Sequence, residues 1–167
     1  MTSAQVSGHP SDDASAEPEN WRLVVMAGVS MDLPEAHPQV LLRESNAPYR
    51  ELRIPVGLAE GTAIAYAWRG IDTPRPLTHE LLTELLSAHQ VSIEAVRILA
   101  RRGQTFYAEL QTMGPKGPVS VQCRPSDAIA LMLRQPMPTP LLVAEEVFEH
   151  PEAQAAPETD STSAERP

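Results

Sequence analysis

Leu52, Ile54 and Val56 alternate with Glu51, Arg53 and Pro55, the period of two that marks a strand with one buried face. Two further stretches, Trp21 to Val29 and Gln39 to Arg43, read as strands from their β-branched and apolar content. Pro34 and Pro38 bracket the turn between them, and Asn46-Ala47-Pro48 marks the next turn. The three strands predict an antiparallel meander. Pro55 cannot donate to a ladder, so it belongs on an edge or at a strand's last residues. After Gly57 the period becomes helical. Ala59, Ala63 and Ala67 recur every four residues beside Ile64 and Trp68, predicting a helix over 59–69 that Gly70 stops. A second helix is predicted over 78–90, with Thr78 as N-cap, Leu77 and Leu82 as a hydrophobic staple, and Glu80 at the positive dipole end. Leu81, Leu82, Leu85 and Leu86 form its apolar face.

Val91 to Ala100, Thr105 to Met113 and Val119 to Cys123 read as three more strands, with turns at Gly103 and over 114–118. Arg124-Pro125-Ser126-Asp127 opens a third helix near 126–134, with Ser126 as its expected cap, and Leu141-Leu142-Val143 is a last short strand. Strands and short helices alternate irregularly. This pattern predicts a single α+β domain over 21–150, with a largely antiparallel or mixed sheet and about three helices.

Charge changes the picture at the two ends. Residues 1–20 carry four acids and no base, and 151–167 carry four acids and one base, whereas 21–150 holds 14 acids against 12 bases. Both ends are poor in large aliphatic residues, so they are expected to be disordered acidic tails rather than parts of the fold. No apolar run reaches the ~18–20 residues of a membrane span. The N-terminus lacks the basic and apolar regions of a secretory signal, which makes the cytoplasm the default expectation. The lone Cys123 excludes an intramolecular disulfide and a thiolate metal site. The alanine stripe beside Trp68 suits close approach of another element, either within the chain or in a homo-oligomer.

Phosphate-binding glycine loops, nucleophile elbows, zinc-binding HExxH and calcium loops are all absent from the sequence. Three acidic positions stand at predicted helix starts: Glu60, Glu80 and Asp127. His79 lies in the polar string Arg75-Pro76-Leu77-Thr78-His79-Glu80, where it suits a general base, a phosphate contact or a packing role. Arg124 and Ser126 suit an anion site at a helix N-terminus, or a capping arrangement in which Arg124 pairs with Asp127.

Four blocks resemble the bifunctional nuclease domain family in order and spacing. They are Ile54-Pro55-Val56-Gly57 with Glu60 and Ala63-Ile64-Ala65; Gly70 with Arg75 through Leu82; Thr105-Phe106-Tyr107-Ala108; and Arg124 through Leu131. The resemblance implies an α+β nuclease acting on DNA, RNA or both, with nucleic acid as its partner. It makes Glu60, His79, Glu80 and Asp127 the candidate catalytic residues and Arg75, Arg124 and Ser126 the candidate phosphate contacts. A divalent metal is the cofactor such hydrolysis commonly uses. The chain departs from the family pattern at Glu80, where Asp is usual, at Gln122, where an acid is usual, at Leu58, and at Gly61, which replaces a common alanine. The alternative is a non-enzymatic regulatory or interaction module, in which Arg75 and Arg124 pair with Glu80 and Asp127 and pin loops to helix starts.

Overall fold

The alternating pattern of the first three strands is realised as β1 (Trp21–Ser30), β2 (Gln39–Glu44) and β3 (Glu51–Pro55), paired antiparallel in sequence order. The computed structural model describes residues 20–31 and 37–149, and the expected turn at Pro34 and both expected disordered tails lie outside them. Pro55 is the last residue of β3, which is an edge strand, so the missing donor costs no ladder bond. Helices α1 (Leu58–Arg69) and α2 (Thr78–Ala88) follow. Gly70 ends α1 with φ 62°, a left-handed conformation that glycine adopts without strain.

The second half runs β4 (Ser92–Arg102), β5 (Thr105–Gly114), β6 (Gly117–Cys123), α3 (Pro125–Met132), β7 (Leu141–Ala144) and α4 (Glu145–Phe148). The seven strands form one sheet in the order β3-β2-β1-β7-β4-β5-β6. All neighbours are antiparallel except β4 and β7. The fold is therefore α+β with a mixed sheet. The short β7 lies between the two meanders, antiparallel to β1 and parallel to β4, and joins them.

Register sorts the side chains by face. Val24, Leu42, Leu52, Val96, Leu110, Leu141 and Val143 share the buried face with Ile64 of α1, Ile129 of α3 and Phe148 of α4. The opposite face is open to solvent and carries Leu23, Val25, Arg43, Arg97, Tyr107, Glu109 and Gln122.

Two sequence expectations are corrected. Leu77, rather than Thr78, is the N-cap of α2, so the supposed staple positions shift by one; Glu80, rather than a hydroxyl, closes the turn by accepting the Leu77 N–H at 2.7 Å. Arg124, rather than Ser126, is the N-cap of α3; Pro125 takes the first helical position, and Ser126 is buried behind it. The leucine face of α2 does not enter the core. Leu81, Leu82 and Leu85 are exposed, and only Leu86 packs against the buried cluster, because α2 meets the domain mainly through α3. Helix α4 carried no sequence signal long enough to be read, yet its Val147 and Phe148 are fully buried. The alanine stripe does not act as one surface: Ala63 is buried, Ala67 half-buried and Ala59 exposed.

Candidate active site at three helix starts

Each of α1, α2 and α3 begins on an extended residue without a side-chain cap and carries an acid at its third position: Glu60, Glu80 and Asp127. An acid there complements the positive end of the helix dipole. The tertiary structure brings two of these starts onto a third. Arg124 sends Nε and a terminal nitrogen to the two Asp127 oxygens at 2.8 and 3.0 Å, and its other terminal nitrogen to Glu60 Oε1 at 3.1 Å. His79 Nε2 stands 3.2 Å from Asp127 Oδ1. Four residues that are far apart in sequence thus form one chain of contacts: Glu60, Arg124, Asp127 and His79.

The local chain explains the arrangement. Glu60 folds back over Gly57, where a Cβ would come within 2.3 Å of its Oε2, so only a glycine leaves that carboxylate its place. Pro125 fixes the turn from β6 into α3, which holds Arg124 extended and sets Asp127 three residues on. Burial pushes the Asp127 carboxyl up, but hydrogen bonds from Arg124 and His79 outweigh it and hold the pKa below its ordinary value. Asp127 is therefore an anion at neutral pH. Arg124 is bonded to Asp127 yet 67% of its side chain remains exposed, so the guanidinium still presents donors to solvent.

The remaining candidates take no part in these contacts. Glu80 faces away from this cluster: it accepts the Thr73 hydroxyl at 2.6 Å and the Leu77 amide, and lies 3.6 Å from Arg134. The Thr73 and Leu77 bonds, with Arg134, hold its pKa below the usual carboxylate value. The pairing of Arg75 with Glu80 is not found. Arg134 takes that place, and Arg75 is exposed with no side-chain partner among the described residues. Ser126 is buried and makes no cap bond. Arg134 escaped sequence reasoning because its role depends on contacts with Ala63 O, Ala130 O and Glu80, two of them across the fold. Beside it opens a cleft of about 440 Å³ lined by Tyr66, Ile71, Thr73, Glu80, Glu84 and Arg134.

Among the described residues no three histidine, cysteine or acidic side chains are grouped to hold an ion, and Glu60 and Asp127 are both engaged by Arg124. The cluster as it stands does not fit a metal centre.

The model of the bifunctional nuclease domain matches residues 40–156, a span that contains all four clustered side chains. The chain belongs to the bifunctional nuclease domain family. Two uncharacterized proteins of Mycobacterium tuberculosis, MT1877 of strain CDC 1551 / Oshkosh and Rv1829 of strain H37Rv, are each 39% identical to it over 115 residues, covering 69% of this chain and 68% of theirs. Within this bifunctional nuclease domain, Gln122 lies on exposed β6 just ahead of Arg124, and Glu80 anchors the α1–α2 connection. No described helix is long and apolar enough to cross a membrane.

Proposed function

We propose that the chain is a nuclease that hydrolyses phosphodiester bonds of DNA or RNA where α1, α2 and α3 begin. One observation carries the reading: His79, Asp127, Arg124 and Glu60 converge there from three separate helices. With its Nε2–H donated to Asp127, the His79 ring keeps Nδ1 as a proton acceptor. Water attacks phosphorus in line, its proton passes to Nδ1, and the imidazolium that forms is stabilised by the Asp127 anion. The leaving oxygen, on the far side of phosphorus, takes its proton from solvent, and the ring gives its own back to solvent. The exposed guanidinium of Arg124 stabilises charge on the non-bridging oxygens, and Arg75 at the head of α2 is a second phosphate contact. Glu60 holds Arg124 in place.

A second reading, a non-enzymatic regulatory module, draws on a different observation. Both carboxylates of the cluster are occupied by Arg124, and the described residues hold twelve acidic and twelve basic side chains, which gives no excess positive charge for a polyanion.

Cleavage assays on single-stranded DNA, double-stranded DNA and RNA, with and without divalent ions, decide between them. The wild-type chain is expected to cleave at least one substrate, and His79→Ala and Asp127→Asn to lose that activity while remaining folded. Wild-type protein inert towards all three in magnesium, manganese and calcium overturns the nuclease reading in favour of the regulatory one.

A further inference from the structure

The block Thr105-Phe106-Tyr107-Ala108 takes no part in the cluster, yet it ends beside it. Phe106 and Ala108 point into the core, at 8% and 2% exposure, so the alternation of β5 turns Tyr107 outward, where it is 45% exposed. The guanidinium of Arg102 lies 5.5 Å from the centre of the Tyr107 ring. Ala108 pairs with Cys123 in the β5–β6 ladder, and Arg124 continues in extended backbone at φ −75° and ψ 146°. Arg124 follows Cys123 and Tyr107 precedes Ala108, so the two residues adjoin the last pair of that ladder, with the Arg124 side chain turned towards α1 and α3 and the Tyr107 ring on the open face. Gln122, exposed and paired with Glu109, occupies the same outer face one position away.

We infer that Tyr107 and Arg102 form a stacking subsite for a base of single-stranded nucleic acid, flanking the phosphate held at Arg124. The inference rests on the nuclease reading and adds to it the class of substrate. Aromatic rings and guanidinium planes are the surfaces on which unstacked bases lie, and every base has a π-face, so such a subsite tolerates sequence. A duplex keeps its bases stacked on one another and cannot use the ring. A strand held at Arg124 crosses the end of β6 to reach Tyr107, and the Gln122 amide, a donor and an acceptor, meets the edge of the stacked base.

The test is binding of fluorescein-labelled single-stranded DNA, single-stranded RNA and duplex DNA, followed by anisotropy with the full chain carrying His79→Ala to suppress turnover. Adding Tyr107→Ala should weaken binding of at least one single strand about tenfold or more, within the ~1–3 kcal/mol that stacking of a base supplies. Tyr107→Phe should keep the parent affinity, and duplex affinity should be unchanged throughout. Arg102→Ala should weaken the same single strand and lower the salt dependence of its binding. Unchanged single-strand binding in Tyr107→Ala, or equal losses on single strand and duplex, overturns the subsite. If the otherwise wild-type chain still cleaves in either case, the nuclease reading stands without it. A wild-type chain that neither binds nor cleaves any of the three defeats both. Thermal melting of Tyr107→Ala beside Tyr107→Phe separates lost stacking from lost folding.

Discussion

His79 Nε2 lies 3.2 Å from Asp127 Oδ1, joining residues 48 positions apart through the first turns of α2 and α3. An aspartate so placed fixes the tautomer and orientation of the ring. Asp127→Asn keeps the shape and removes the charge, and it should lower cleavage about 100-fold or more, in the range general-base catalysis supplies. The melting temperature should stay within a few degrees. Initial rates and melting curves on the same preparations check this. A variant that unfolds with no separate catalytic defect makes Asp127 a structural anchor instead.

Gly57→Ala tests the placement of Glu60 without touching its chemistry. The new Cβ would meet Glu60 Oε2 at 2.3 Å, and the carboxylate, at the end of a flexible side chain, should swing away from Arg124. Cleavage should fall to the level of Glu60→Gln, with little change in melting. Wild-type rates in Gly57→Ala alongside reduced rates in Glu60→Gln would show that Glu60 acts independently of its fold over Gly57.

Glu80 should behave as a stability residue. Its removal strands the Leu77 amide, leaves the Thr73 hydroxyl with the Arg75 carbonyl alone and takes the carboxylate partner from Arg134, whose side chain is only 9% exposed. Glu80→Ala should lower the melting temperature by several degrees, and cleavage below the new transition should stay close to wild type. A loss of rate at unchanged melting temperature would return Glu80 to the catalytic set.

Acid should loosen the corner where α4 meets β1 and β2. Arg50 and Arg22 hold the Glu145 carboxyl at about 2, against its ordinary 4.5, and Arg50 also lowers that of Glu44, which is buried. Depressed carboxyl pKa values stabilise the fold fully above the unfolded-state value and cease to do so as pH falls through the folded-state value. Melting temperature should therefore decline as pH drops from about 4.5 towards 2, and Glu145→Gln should flatten that decline. Equal slopes in the two proteins would remove Glu145 from the acid response.

The leucines of α2 supply a contrast with the core. Leu85→Gln, at a position 48% exposed, should change stability by less than ~0.5 kcal/mol, whereas Ile64→Ala, at a position with no exposure, should cost about 2–5 kcal/mol. Urea unfolding of both variants checks the assignment, and a large loss from Leu85→Gln would mean that the α2 leucines are buried in solution.

Local pattern carried much of this protein. The alternation of Leu52, Ile54 and Val56 marked β3, the Gly57 and Gly70 boundaries framed α1, and the strings around His79 and Asp127 supplied the polar groups of the site. Such signals are legible because period and terminal residues report the conformation of a few neighbouring positions. The leucine periodicity of α2 predicted an apolar face correctly, but not whether anything covers it. Hydrophobic spacing is a property of one helix, and burial belongs to two packed surfaces. The central place of β7, the capture of Glu80 by Arg134 instead of Arg75, and the meeting of Glu60, His79 and Asp127 around Arg124 all depend on contacts between distant segments. The sequence by itself determined the elements and the chemical groups at their starts. Only the tertiary structure decided which groups meet, because strand order and helix packing are set by burying surfaces from the whole chain together.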